Sequence, residues 1–503
     1  MRTDIRAAVV VSRNRFLVVI AVWSFAFGSL RAQPDAIVAT RHTATVNGAT
    51  LRYTARAGLL PIRDNEAGEV RAHMYFVAYT LDRAPGAAAR PLTFLWNGGP
   101  GSNAGLLHLL GFGPKRIAQA TGNAPRFSPN GTTLIDNDGT WLDKTDLVFV
   151  DPVGTGYSRP VKAEDGADFY QSRGDAESVA EFIRTYRTRF DAFAQPLFIM
   201  GESYGVTRAA LVSEALERRG TTLSGVIMLG LALPLGDVPA PTRAALGLPT
   251  FTAAAFASKK LPAELQTDLQ SALKAAQEWS EKEYAPALAR RDSLNATERD
   301  AIVAQVARFS GMPAAQVDRN TLRLTMERVS AGLLEREGRV VGRYDSRMTD
   351  VRDTTQTIYD PTKDPSLKDI LDGISVIRYM RNVLGYKNDM NYQGPFGGGY
   401  PPPTAFRGDW MSVKWNRTVP VNATASLRAA MTSNAKLAVF ISCGYYDMVC
   451  DYYGNEYTAR TLEPALAKRV TARSYAGGHA VYTDDRARLA LKRDVAAFID
   501  ANK

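Results

Sequence analysis

The chain has 503 residues, 45% of them hydrophobic and 22% charged, the make-up of an ordinary globular protein with room for a large core. Its net charge of +10 is mostly local: Arg2, Arg6, Arg13, Arg15 and Arg31 against Asp4 put +4 in the first 32 residues and leave +6 on the rest. No Lys/Arg run or basic–aromatic interleaving follows, so a nucleic-acid partner is not expected.

In chain order, residues 1–32 read as a signal peptide, with arginines ahead of the apolar run 16–30 and a small residue, Ala32, at a cleavable end. That run is shorter than the roughly 20 residues of a membrane span, and no cysteine follows it to carry a lipid, so no stable membrane anchor is expected. The mature chain is taken to start near Gln33 and to be exported, to the periplasm or the medium. The alanine- and arginine-rich composition points to a bacterial source.

Residues 43–82 alternate apolar and polar in short runs and read as antiparallel strands with a turn at Asp64–Gly68. Compact apolar runs follow at 92–96, 146–150, 197–200 and 226–229, with helices expected over 178–193 and 204–219, the second closed by Gly220. Residues 250–345 carry helical spacing with no clear strand, and Gly394–Pro403 is rich in proline, glycine and tyrosine. Strands resume at 437–442 and 470–475, before a last helix over 487–499. The pattern predicts an α/β fold, a mostly parallel central sheet with helices on both faces and a largely helical cap insertion. Its parts are 33–235 and 426–503 for the core, and 236–425 for the cap. An independent helical domain is the alternative for the insertion. Cys443 and Cys450 bracket six residues and read either as a bridge or as two small buried hydrophobes.

Chemistry concentrates at Gly201-Glu202-Ser203-Tyr204-Gly205, a serine between two glycines where a strand gives way to a helix. This is the nucleophile-elbow pattern, which lifts the serine oxygen out of the fold, and between a strand and a helix it makes the expected fold that of an α/β-hydrolase. A serine needs a base, and of the four histidines only His479 follows Ser203, as the order Ser, acid, His requires. The acid is sought at the end of the 437–442 strand, where Asp447 and its rival Asp451 stand. The glycine-rich run Trp96-Asn97-Gly98-Gly99-Pro100-Gly101 can offer an amide that, with the amide of Tyr204, forms an oxyanion hole. It lacks the Gly-Lys-Ser/Thr ending of a phosphate loop, and a plain turn remains the alternative.

Assembled, these stretches resemble the serine carboxypeptidase family, carried by Trp96–Ser102, Val153–Ser158, Gly201–Gly205, and Asp447–Cys450 with Gly478-His479. The resemblance spans about residues 70–235 and 375–500 and gives no guidance over 240–370. It implies Ser203 as nucleophile, Asp447 as acid and His479 as base, with the amides of Gly99 and Tyr204 as the oxyanion hole. It further implies that Asn97 and Glu202 hold the free carboxylate of a peptide C-terminus, and that no metal or cofactor takes part. The expected activity is release of C-terminal residues from peptides through an acyl-enzyme on Ser203. An esterase or acyltransferase on the same scaffold, or a catalytically silent binding protein, are the alternatives. Two departures leave side-chain preference open: Ser102-Asn103-Ala104 where the family often has Cys-Ser-Ser, and Ala480-Val481-Tyr482 where it usually has Met/Thr-Val-Pro.

Overall fold

The uninterrupted apolar runs become the middle of a ten-stranded sheet because both of its faces are covered. The computed structural model describes residues 37–118, 134–230, 233, 235–355, 359–368, 370, 373–394 and 422–503. The signal-peptide expectation for 1–32 and nearly all of the Gly394–Pro403 stretch lie outside them. Labelled strands are β1 (Val38–Val46), β2 (Ala49–Arg63), β3 (Val70–Leu81), β4 (Leu92–Trp96), β5 (Asp146–Val150), β6 (Leu197–Glu202), β7 (Gly225–Leu229), β8 (Ala438–Gly444) and β9 (Val470–Tyr475). A two-residue strand, Arg159–Pro160, pairs with β3.

The spatial order is β1-β2-β3-β5-β4-β6-β7-β8-β9, with β1 to β3 antiparallel and the strands from β5 to β9 mutually parallel. Alternation along each central strand sends Phe149, Met200, Ile227 and Phe440 to one apolar cluster and Val148, Ile199, Met228 and Val439 to the other. Helices α1 (Ser172–Arg189), α2 (Tyr204–Arg218) and α6 (Ala423–Ser433) cover the second face. The last helix, α7 (Asp485–Asn502), and the turn Leu107–Phe112 cover the first.

Two local expectations need correction. The hairpin between β1 and β2 turns on Asn47 and Gly48, both at positive φ (50° and 79°), a dipeptide suited to that turn and overlooked in the sequence. Helix α1 begins six residues before the expected 178, because two polar residues of its first turn, Ser172 and Asp175, are buried. Asp175 in that turn lies within hydrogen-bond reach of Arg208, Nε to Oδ2 at 2.8 Å. It ends at Arg189, where the Arg187 guanidinium takes up the carbonyls of Ala192 and Phe193.

Between β7 and β8 the chain leaves the sheet and builds α3 (Leu248–Ala257), α4 (Leu269–Trp279) and α5 (Ala296–Ser310) around their own apolar cluster. A short antiparallel ribbon, Arg339–Val341 with Thr349–Val351, interrupts the helical texture that the sequence suggested. No helix among the described residues is long and apolar enough to cross a membrane.

Helix α5 starts on a reciprocal cap: Asn295 accepts from the Glu298 amide while Glu298 accepts from the Asn295 amide, and Gly311 closes the other end at φ 66°. Asn295→Ala should therefore cost about 1 kcal/mol, read as a lower urea midpoint, and Asn295→Asp should restore most of it.

Candidate active site

Strand β6 runs two residues beyond the apolar stretch, through Gly201 and Glu202, before α2 begins at Tyr204. Ser203 joins them at φ 58° and ψ −130°, a backbone region that costs a non-glycine residue roughly 1–3 kcal/mol. Its amide is tied to the carbonyl of Leu229 at 2.8 Å. The neighbours leave no room for side chains. A Cβ on Gly201 would stand 1.9 Å from the Gly205 carbonyl oxygen. One on Gly98 would stand 2.5 Å from the Tyr204 nitrogen, so the loop after β4 lies directly on the first amide of α2. Gly99 follows at φ 101°. Two anchors hold this loop: Trp96 Nε1 donates to the Gly205 carbonyl at 2.9 Å, and Arg208 Nη1 donates to the Asn97 carbonyl at 2.7 Å.

His479 is carried by the loop after β9, and its Nδ1 lies 2.7 Å from Asp447 Oδ2. The ring rests on Gly230, where a Cβ would be 2.9 Å from His479 Cε1, so the imidazole sits one residue past the carbonyl that holds the Ser203 amide. Asp447 is fully buried, and its Oδ1 accepts the Val449 amide at 2.9 Å. Burial pushes its carboxyl up, while the imidazole and the amides oppose the rise. Burial alone would push His479 down, but the charge and hydrogen bond of Asp447, with Glu202 adding to them, carry it above its ordinary value. The rival acid faces elsewhere: Asp451 caps the helix Tyr452–Thr461 through the Gly454 amide at 2.9 Å. Cys443 and Cys450 are paired across the Asp447 loop.

Glu202 and Asn97 meet beneath the elbow, both almost fully buried. Asn97 Nδ2 donates to Glu202 Oε2, and so does the Tyr482 hydroxyl at 2.9 Å. Glu202 Oε1 has no hydrogen-bond partner among the described residues. Burial pushes this carboxyl up to about 7, against the pull of His479, Tyr482 and Asn97.

Several neighbours escaped the sequence reading. The His479 amide donates to the Tyr344 carbonyl at 2.6 Å, and the two rings meet edge to face at 5.1 Å. The Met448 amide donates to the Arg343 carbonyl at 3.0 Å and the Ser346 amide to the Tyr446 carbonyl at 2.9 Å, so the β7–β8 connection reaches both loops. Its sequence carries no motif that announces this. The buried Asp175–Arg208 pair behind the Asn97 loop was equally silent, although a helical arginine five residues after the serine was there to be asked about.

A profile described as serine carboxypeptidase matches residues 48–394, more than half of the chain. The chain belongs to the serine carboxypeptidase family. It is 30% identical over 158 residues to the pheromone-processing carboxypeptidase KEX1 of Saccharomyces cerevisiae, covering 29% of this chain and 20% of that protein. It is 25% identical over 169 residues to serine carboxypeptidase S10 family member 1 of Dictyostelium discoideum, covering 33% and 37%. These aligned parts thus span well under half of either relative. The solved structure of the yeast KEX1 carboxypeptidase shares the fold, with a TM-score of 0.53 at 16% identity over 89% of this chain and 92% of that one.

In this serine carboxypeptidase family member the imidazole's environment is directly measurable. Asp447→Asn removes the charge that raises His479, so the histidine pKa should fall when followed by NMR, whereas Asp451→Asn should leave it in place.

Proposed function

We propose that the protein is a serine carboxypeptidase that removes residues from the free C-terminus of peptides through an acyl-enzyme on Ser203. The observation that carries this reading is the buried Glu202–Asn97 pair next to the elbow, because a carboxyl with a pKa near 7 and one unpartnered oxygen suits capture of another carboxylate. Two ionised carboxylates in contact repel, so Glu202 works as the acid, with Oε1–H donating to the substrate's terminal carboxylate. The second Nδ2 hydrogen of Asn97 is the other donor.

In this scheme Ser203 Oγ attacks the last peptide carbonyl while His479 Nε2 takes its proton, with Asp447 holding Nδ1–H. The Gly99 and Tyr204 amides receive the developing oxyanion, helped by the positive end of α2. The C–N bond then breaks, and the imidazolium returns the proton to the departing amino group. Water, activated by the same histidine, splits the ester to regenerate Ser203. Neither a metal nor a cofactor enters these steps. Residues 236–425 serve as a cap over the site, and the charge-then-apolar pattern of residues 1–32 supports export of a bacterial protein to the periplasm or medium.

Digestion of a defined peptide tests the reading: shortening only from the carboxyl end is expected. Intact peptides alongside cleaved esters would move the assignment to an esterase, and failure of a fluorophosphonate to label Ser203 would remove the nucleophile. Asp447→Asn should lower kcat by roughly 10⁴-fold.

The pH dependence follows from the acid. Above about 7 Glu202 loses its proton, so kcat/KM for peptides should fall about tenfold per pH unit. Esters blocked at the C-terminus should instead rise with pH to a plateau as His479 becomes neutral. Glu202→Gln, a permanent neutral donor, should abolish the alkaline fall for peptides.

A further inference from the structure

The sequence places Tyr482 three residues after His479, at one of the positions where this chain departs from its family, and the scheme above gives it no role. Its hydroxyl nevertheless ends on Glu202 Oε2, the oxygen that also receives Asn97 Nδ2. The ring that delivers it is held on two sides. Phe112 meets it edge to face at 5.2 Å. Gly111 leaves the space it occupies, since a Cβ there would lie 3.3 Å from Tyr482 Cγ. Tyr482 is almost fully buried, as is Glu202, so water does not compete for this bond.

We infer that Tyr482 is a positioning residue that, with Asn97, loads Glu202 Oε2 with donors, so that the acid's proton is carried by Oε1 and the pH window for capturing a peptide's C-terminal carboxylate is set. The inference rests on the carboxylate-capture reading of Glu202. Two donors on one oxygen occupy the positions where a proton would otherwise bind, and the orphaned oxygen is left as the site of protonation. Both donors also stabilise the anion, so each holds the Glu202 pKa below the value that burial alone would impose. Two titrating groups face the same carboxyl from other loops. His479, when charged, lowers its pKa, and Asp447 raises it. Tyr482 differs from both in acting without a net charge of its own, because burial and the Glu202 carboxylate keep the phenol far above its ordinary pKa.

The test compares Tyr482→Phe with wild type on an N-blocked dipeptide bearing a free carboxylate and on its C-terminal methyl ester, recording kcat/KM against pH. Removing the hydroxyl withdraws one donor from the anion, so the alkaline midpoint for the dipeptide should move up by about one pH unit. The ester's own midpoint, governed by His479, should stay in place. Gly111→Ala supplies a second variant that keeps the hydroxyl but presses on the ring, and it should move the dipeptide midpoint the same way by a smaller amount. If Tyr482→Phe does not fold, Gly111→Ala decides. A dipeptide midpoint that does not move, or one that moves equally for the ester, overturns the role given to Tyr482 while leaving the capture of the carboxylate by Glu202 intact. Wild-type dipeptide and ester profiles that coincide overturn that capture and this inference together.

Discussion

The site depends on backbone packed against backbone at the end of β6. Gly98 lies on the Tyr204 nitrogen and Gly201 faces the Gly205 carbonyl at separations that exclude any Cβ. Ser203 is pressed between them into a conformation that a serine does not choose. Such strain persists only when the surroundings over-determine it. Here β6 lies between β4 and β7, and the Ser203 amide, the Trp96 indole and the Arg208 guanidinium each fix one side of the crossing. A backbone held this way fixes the position of the Ser203 side chain before any ligand arrives.

Two buried carboxyl groups, Asp447 and Glu202, act on the one imidazole of His479, and their surroundings differ. Asp447 bonds to a ring nitrogen of His479 and accepts the Val449 amide. Glu202 has only the neutral donors Asn97 and Tyr482, both on the same oxygen. Burial raises both groups, but only Asp447 has a direct partner whose charge can repay ionisation. Burial thus carries Glu202 up to about 7 with no charged group bonded to it, whereas at Asp447 the bonded imidazole works against the rise.

The sheet was legible because its central strands are buried on both faces and therefore contain almost nothing but apolar residues. Leu92–Trp96, Asp146–Val150 and Gly225–Leu229 end where the apolar runs end. Local patterning fails where burial and polarity part company, as in the first turn of α1, whose Asp175 looks like loop material until Arg208 arrives from another helix. At the site, Ser203, His479 and the glycines around the serine could be read from spacing and chain order. Choosing Asp447 over Asp451 needed either the family or the coordinates, since each aspartate follows the same strand and only contacts tell a histidine's partner from a helix cap. Tyr344 and Tyr482 left no trace of their placement, because each matters through a neighbour distant in sequence.

The grip of the β7–β8 connection on the two loops has a consequence for how this protein can diversify. The links from Arg343, Tyr344 and Ser346 to Met448, His479 and Tyr446 all run between main-chain atoms. Bonds of that kind are indifferent to side-chain identity, so apart from the Tyr344 ring on the imidazole the segment can vary in composition while still clasping the histidine. Kinship in this segment, which the family profile spans as far as residue 394, can thus rest on the path of the backbone more than on its side chains.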